Sequence, residues 1–222
     1  MRKVKRLSRS ERRGRLLESA ERLFGEQGYR RTEVADIARG AGVTKPMLYR
    51  HFQGGKSEIF LAVLEGHLNS LVRRLWEAIA SSKRPRDRLY LGVDAYLRFV
   101  EEEPEGFRLM TDSSPEVDSE VGRRLSESRN VIVAGLTNTL SDVMGGLGLD
   151  AEGAPIYAYA LLGAVESVAK WWIEDKTPDR ERMVDYILAL VWRGFDGLPR
   201  DPTKFHLLID QGAAHQSATR KV

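Results

Sequence analysis

The residues best suited to chemistry lie in the stretch TEVADIARGAGVTKPMLYRHFQGGKSEIF, positions 32–60. Four residues of a predicted short helix share its outward face and are cationic, aromatic, sulfur-bearing or hydrogen-bonding: Lys45, Met47, Tyr49 and His51. Leu48 and Phe52 fall on the inward face of the same helix. The major groove of B-DNA admits an α-helix that carries side chains of this kind. The stretch therefore predicts a helix that binds nucleic acid.

A second short helix is predicted directly before this one, and a tight turn joins the two. Thr32 is suited to cap the earlier helix, because its hydroxyl can accept a backbone N–H that the first turn leaves free. Gly40 and Gly42 break that helix, since glycine adopts the positive φ of a sharp turn. Thr44 caps the later helix, and Pro46 falls in its first turn, where a missing N–H costs least. The pattern is that of a helix-turn-helix.

Charge is unevenly distributed along the chain. The formal net charge is only +3 over 222 residues. Residues 1–56, however, contain 15 Lys and Arg against 6 Asp and Glu, a net charge of +9, and the remainder carries −6. A cationic head on an acidic body suits binding of a polyanion through the head alone. The alternative is a solvated charged tail, but the position of the basic residues beside the helix-turn-helix favours DNA.

Residues 10–60 carry the pattern of a known family. The chain resembles the TetR family of transcriptional regulators in an amphipathic first helix and in these residues: Gly28, Tyr29, Thr32, Ile37, Ala38, Ala41, Gly42, Val43, Leu48, Tyr49, His51, Phe52 and Lys56. The resemblance implies a DNA-binding regulator, a repressor that a small effector releases from a palindromic operator. Base edges and backbone would be contacted by Lys45, Met47 and Tyr49. Phosphates would be held by Thr32, Thr44, His51 and Lys56.

The chain departs from the family pattern at one point. Three residues, Gln53-Gly54-Gly55, stand between Phe52 and Lys56, where the family usually has two. We expect the additional glycine to loosen the start of the helix that follows.

Several classes of protein are excluded by composition. The chain has no cysteine, so it has neither disulfides nor a thiol nucleophile. It contains no apolar run of about 18 residues or more, so we expect no membrane span. The N-terminus lacks the apolar segment of a secretion signal. We therefore expect a cytoplasmic protein with no membrane partner.

Motifs of catalysis are missing from the sequence. It contains no P-loop, no dinucleotide-binding glycine pattern and no nucleophile elbow. The histidines are far apart and none has the spacing of a metal pair: His51, His67, His206 and His215. We expect no catalytic residues, no metal site and no cofactor, and hence no enzyme.

Helical periodicity predicts an all-α fold of about nine helices and no strand. Besides the helix-turn-helix, the predicted helices span residues 10–27, 57–81, 86–103, 104–110, 115–144, 155–175 and 179–195. We predict a basic disordered arm at 1–9, a DNA-binding domain at 10–56, an effector-binding and dimerisation body at 57–199, and a tail at 200–222.

The eighth and ninth predicted helices are apolar over more than one face, and such helices are normally buried. A twofold copy of the same pair is the simplest partner, and the resemblance implies the same homodimer. It also implies an effector pocket in the body, whose apolar lining suits a small apolar or acyl-like ligand. The predicted lining is Trp76, Phe99, Phe107, Met110, Leu136, Tyr159 and Trp172. Two alternatives stay open: these residues form plain core, or the body has no pocket and recruits a protein partner.

Overall fold

The computed structural model describes residues 8–112 and 119–196. Within these ranges the chain forms nine α-helices, a 3-10 helix at Ala151–Gly153 and no strand. The α-helices are α1 (Arg9–Arg31), α2 (Val34–Gly40), α3 (Lys45–His51), α4 (Lys56–Ala80), α5 (Pro85–Glu102), α6 (Pro104–Asp112), α7 (Ser119–Gly146), α8 (Ala154–Trp172) and α9 (Arg180–Asp196). The prediction of an all-α fold is confirmed.

The first helix begins at Arg9, one residue before the predicted start, because Ser8 is its N-cap. The Ser8 hydroxyl accepts the N–H of Glu11 at 3.1 Å, and the Glu11 carboxylate accepts the N–H of Ser8 at 2.6 Å. This reciprocal pair is a capping box, which a serine three residues before a glutamate makes possible. At its other end α1 kinks at Gly28, whose φ is 78°.

Some predicted features lie outside the described residues. These are positions 1–7 of the basic arm, the start of the seventh helix near residue 115, and the tail at 200–222. In the described ranges no helix combines the length and apolarity that crossing a bilayer requires.

The described residues divide into two compact units, and the first comprises those up to residue 74 and those between 98 and 130. Its core draws side chains from α1, α2, α3, α4, α6 and α7. The buried residues are Leu16, Ala20, Phe24, Ile37, Ala38, Ala41, Leu48, Phe52, Ile59, Phe60, Val63, Leu64, Leu68, Leu109 and Val121. The predicted inward positions of α3, Leu48 and Phe52, are both fully buried. Their burial fixes which face of α3 remains outward.

His67 of α4 lies between two carboxylates of the first unit. Its Nδ1 is 2.8 Å from the Glu103 carboxylate, and its Nε2 is 3.1 Å from that of Glu21 in α1. Glu103 also accepts hydrogen bonds from the Ser70 hydroxyl at 2.9 Å and the Arg74 guanidinium at 2.7 Å. Burial disfavours the charged form of Glu103, but these donors outweigh it and hold its pKa below the ordinary value of 4.5. The network ties α1 to α4 and to the end of α5.

The second unit comprises residues 75–97 and the described residues from 131 to 196. An ion pair between Arg180 and Asp94 joins α9 to α5, and both side chains are largely buried. Trp172, the last residue of α8, is fully buried, and its indole N–H donates to the Pro178 carbonyl at 2.6 Å. The chain therefore turns back after Trp172, three residues before the predicted end of that helix at Asp175.

Candidate nucleic-acid interface

Helices α1 and α2 approach closely, and this contact supports the helix-turn-helix. The buried Ser19 hydroxyl of α1 donates to the Ile37 carbonyl of α2 at 3.0 Å. Gly40 lies beside the same hydroxyl, since a Cβ placed on Gly40 would come within 2.2 Å of Ser19 Oγ. Glycine is required here by close approach, because the φ of Gly40 is not positive.

The turn between α2 and α3 has the predicted form. Gly42 has a φ of 68°, which glycine adopts without a steric cost. The N–H of Val43 donates to the Ala38 carbonyl at 3.0 Å, which closes the turn after α2. Thr44 occupies the N-cap position of α3, and Pro46 lies in the first turn. The Thr44 hydroxyl makes no capping hydrogen bond and is exposed, so it is available to a phosphate.

Thr32 does not have the predicted roles. The N-cap position of α2 is Glu33, without a side-chain hydrogen bond. Thr32 is fully buried, and its hydroxyl lies 2.9 Å from the Gly28 carbonyl oxygen and 3.2 Å from that of Leu23, to which it donates. The hydroxyl thus binds carbonyl groups of the kinked end of α1. A buried and occupied hydroxyl cannot hold a DNA phosphate, so we remove Thr32 from the predicted interface.

The outward face of α3 carries the residues predicted to read DNA. Lys45 is exposed, Tyr49 is 40% exposed and Met47 is half-buried. Sequence reasoning omitted Arg50, which is also exposed on α3. Its position next to Tyr49 in a short basic helix was the available signal. Arg50 adds a group that binds guanine edges or phosphates.

His51 at the end of α3 lies among arginines of α1. Burial and the charges of Arg9, Arg12 and Arg13 lower the pKa of His51 below its ordinary value of 6.5. These surroundings therefore disfavour the protonated imidazole. The Arg13 guanidinium also lies 4.9 Å from the centre of the Phe52 ring. The spacing of these arginines, which puts them on one helical face, was the sequence signal for this cationic cluster.

Lys56 has a structural role that differs from the predicted phosphate contact. Its ammonium donates to the carbonyls of Tyr29 at 3.1 Å and Arg30 at 3.4 Å, and it lies 4.6 Å from the centre of the Tyr29 ring. Tyr29 in turn packs edge-on against Phe60, with ring centres 4.9 Å apart. Lys56 thus fastens the start of α4 to the C-terminal end of α1, where a cation is favoured.

The turn before α4 is closed by hydrogen bonds, contrary to the expected loosening. The Gly54 N–H donates to the Glu58 carboxylate at 2.7 Å, and the Gly55 N–H donates to the Phe52 carbonyl at 3.1 Å. The N–H of Ile59 then donates to the Gly55 carbonyl at 3.1 Å. The additional residue is therefore accommodated within a defined turn.

The residues predicted to line an effector pocket belong to both units. In the first unit Phe99 and Phe107 are buried and Met110 is half-buried. In the second unit Trp172 is buried, Leu136 is half-buried, and Trp76 and Tyr159 are 46% and 51% exposed. The pocket remains a prediction.

A short helix with an outward basic and aromatic face, preceded by a glycine turn and packed on an apolar core, defines a helix-turn-helix DNA-binding protein. Residues 16–63 match the family described as "Bacterial regulatory proteins, tetR family". Residues 85–194 match the family described as "Tetracyclin repressor-like, C-terminal domain". The chain belongs to the TetR family of bacterial transcriptional regulators.

Individual relatives agree with this assignment. The chain is 32% identical to the HTH-type transcriptional activator FasR of Mycolicibacterium smegmatis over 200 residues. The matched region covers 89% of each of the two chains. It is 44% identical over 78 residues to the HTH-type transcriptional repressor KstR2 of Mycobacterium tuberculosis, covering 35% of this chain and 38% of the relative. A TetR-like regulator from Rhodococcus sp. RHA1 has a similar structure, with a TM-score of 0.74, 25% identity and coverage of 86% and 100%.

These matches show that the chain is a DNA-binding transcriptional regulator and not an enzyme. Regulators of this family bind DNA and act as dimers.

Proposed function

We propose that the chain is a homodimeric regulator whose two copies of α3 bind the half-sites of a palindromic operator. The observation that carries this proposal is the exposed face of α3, where Lys45, Tyr49 and Arg50 stand clear of the core. These side chains bind base edges and backbone, which gives sequence discrimination. Thr44, His51 and the arginines of α1 bind phosphates, which fixes the register and makes affinity salt-dependent.

Selection of bound DNA from a random pool, repeated over a range of salt concentrations, tests this proposal. We expect an enriched palindrome and a steep fall of affinity with salt. Lys45→Ala should abolish enrichment while leaving folding intact. Lys83→Ala is the matched control, because Lys83 is an exposed lysine outside the helix-turn-helix. Binding without an enriched sequence would contradict the proposal and leave only non-specific attraction.

The dimer is proposed to form through α8 and α9, because these helices expose large apolar side chains. The exposed residues are Ile156 (71%), Tyr159 (51%), Trp171 (62%), Tyr186 (63%) and Leu190 (75%). Water contact at such residues is unfavourable, and large exposed apolar side chains of this kind are typical of a protein interface. We therefore assign Tyr159 to this surface rather than to the effector pocket.

A charge placed in the surface formed by α8 and α9 should prevent dimerisation. Twofold symmetry introduces Leu190→Glu twice, and burying each unpaired carboxylate is strongly unfavourable. We expect a monomer by sedimentation, with near-wild-type helix content. Val131→Glu is the control, since Val131 is a 45% exposed apolar residue of α7. A dimeric Leu190→Glu chain would exclude α8 and α9 as the interface.

We further propose that a small apolar or acyl-like effector binds in the body. Support comes from the apolar and aromatic character of the predicted lining, which suits a ligand of this kind. The helix-turn-helix part of the chain has a surface depression of a different character. This open depression of about 510 Å³ between α1 and α2 has four charged residues among the eight of its lining, which does not suit an apolar ligand: Arg15, Glu18, Ser19, Arg22, Arg39, Gly40, Ala41 and Gly42.

The effector is tested by titrating long-chain acyl thioesters, fatty acids and steroids against the operator complex. A ligand should lower or raise the affinity for the operator, and it should quench the tryptophan fluorescence of the protein. This quenching should be lost in Trp76→Phe but kept in Trp192→Phe. An effector changes DNA affinity only as far as it binds the two states differently. A body that responds to none of these classes favours the alternative function, recruitment of a protein partner.

Repression is the proposed outcome of operator binding, as the resemblance implies. Activation is the second candidate, because the relative FasR, which matches over most of this chain, is named an activator. In vitro transcription from the selected operator distinguishes the two. Fewer transcripts with added protein indicate a repressor, and more transcripts indicate an activator.

A further inference from the structure

The turn between α3 and α4 places a glycine against the tyrosine of the DNA-reading helix. Gly55 is buried and has a φ of 66°, in the left-handed region that side chains disfavour. A Cβ built on Gly55 would lie 3.3 Å from Tyr49 Cε1 and 3.8 Å from the Tyr49 hydroxyl oxygen. The ring and hydroxyl edge of Tyr49 therefore lie along the Gly55 backbone.

Gly55 therefore meets two separate requirements, a positive φ and the space that Tyr49 takes. Positive φ alone would also admit asparagine, which adopts the left-handed region several-fold more often than most residues. A Cβ at this position would also press on the tyrosine, because a carbon 3.3 Å from Tyr49 Cε1 is tighter than ordinary van der Waals contact and the ring would have to shift. Asparagine at this position would keep the backbone and push the tyrosine ring.

The turn itself is held in place from α4. The Glu58 carboxylate accepts the Gly54 N–H at 2.7 Å, and the Gly55 carbonyl accepts the first-turn N–H of Ile59 at 3.1 Å. Gly55 is consequently a fixed surface rather than part of a mobile loop. Tyr49 is 40% exposed, so part of its side chain remains available to a ligand beside this contact.

We propose that Gly55 is a positioning residue that sets the orientation of Tyr49 for contact with DNA. The inference rests on the proposed function, in which α3 binds the operator. A ring that is already oriented loses less conformational freedom on binding, so the contact contributes more to affinity.

The test compares Gly55→Asn with Gly148→Asn. Gly148 has a similar φ of 68°, but no atom lies within 4 Å of its hypothetical Cβ. The control therefore carries the same backbone change without a neighbour to displace. We expect Gly55→Asn to weaken operator binding by about tenfold, the worth of roughly one hydrogen bond. We also expect altered base preference at one position per half-site, and an unfolding midpoint like that of Gly148→Asn.

A double-variant comparison shows whether Gly55 acts through Tyr49. In a Tyr49→Ala chain, Gly55→Asn should cause no further loss of operator affinity, because the ring that it displaces is absent. Additive losses would overturn the inference and assign Gly55 to the shape of the turn alone. Wild-type affinity and base preference in Gly55→Asn would overturn it as well.

A readout without DNA separates this inference from the proposed function. Aromatic NMR signals of Tyr49 in the free protein should shift in Gly55→Asn and stay unchanged in Gly148→Asn. Unshifted Tyr49 signals would overturn the positioning role whatever the DNA result. If the wild-type chain enriches no DNA sequence, the proposed function fails and the DNA role of Gly55 fails with it, while the NMR comparison still reports the orientation of Tyr49.

Discussion

The close approach of α1 and α2 leads to a prediction whose sign depends on one hydroxyl group. Alanine at position 40 would place its Cβ 2.2 Å from Ser19 Oγ, well inside contact distance. The other nearby atoms, Ser19 Cβ and Arg22 Nη2, lie at an ordinary 3.4 Å. The whole steric conflict of Gly40→Ala is therefore with the Ser19 hydroxyl.

Two opposing effects set the magnitude. Replacing glycine by alanine in a helix stabilises by roughly 0.5–1 kcal/mol, and by less at the end of α2. Overpacking a buried contact costs about 1–3 kcal/mol, so overpacking prevails and Gly40→Ala destabilises the wild-type chain. Ser19→Ala removes the conflict. It costs about 1 kcal/mol by itself, because the Ile37 carbonyl keeps its hydrogen bond from the Ala41 N–H at 3.0 Å.

In the Ser19→Ala chain, Gly40→Ala should therefore be neutral or stabilising. The two substitutions should have a coupling energy of about 1–3 kcal/mol. Urea unfolding of the wild type, both single variants and the double variant, followed by circular dichroism, measures this energy. Operator affinity should follow the same order, since the contact positions α2 and α3. Additive effects on unfolding, or a destabilising Gly40→Ala in both backgrounds, would refute the reasoning.

Three further substitutions test the buried contacts that support the interface. Thr32→Val should destabilise the fold by about 1 kcal/mol, because the carbonyls at the kink of α1 lose their donor; unchanged thermal stability with lost operator binding would contradict this. Lys56→Met should lower stability but leave the slope of log affinity against log salt unchanged, whereas a phosphate contact would reduce that slope by about 1. Glu103→Gln should destabilise the protein near neutral pH, where Glu103 is charged. Because its folded pKa lies below 4.5, the difference from wild type should disappear as pH falls through that lower pKa. Denaturant unfolding between pH 7 and pH 3 checks this, and a difference that persists at the lowest pH would show that the carboxylate charge is not its cause.

Much of the helix-turn-helix follows from short-range patterns. Gly42 takes the positive φ of the turn, Pro46 lies in the first turn of α3, and Leu48 and Phe52 are buried as predicted. Each depends on backbone conformation or helical periodicity within a few residues, which are properties that the sequence carries directly. The apolar character of α8 and α9 predicted a dimer interface, which stays a proposal, and the structure adds which of their large apolar side chains are exposed.

Contacts between residues that are distant in sequence could be identified only in the tertiary structure. Thr32 looks like an N-cap in the sequence, but the kink of α1 at Gly28 brings carbonyls to its hydroxyl and buries it. Lys56 looks like a free cation beside a DNA-binding helix, but its ammonium lies 3.1 Å from the carbonyl of Tyr29, 27 residues earlier.

The sequence by itself thus determined the class of fold, the turn and the outward face of α3, because local propensity and side-chain periodicity act along the chain. Only the tertiary structure decided which polar groups remain available to DNA and which are used in the protein itself. It also decided that Gly55 lies against Tyr49. The physical reason is that hydrogen bonding and close packing depend on distances between atoms, and folding sets those distances for residues that are far apart in sequence.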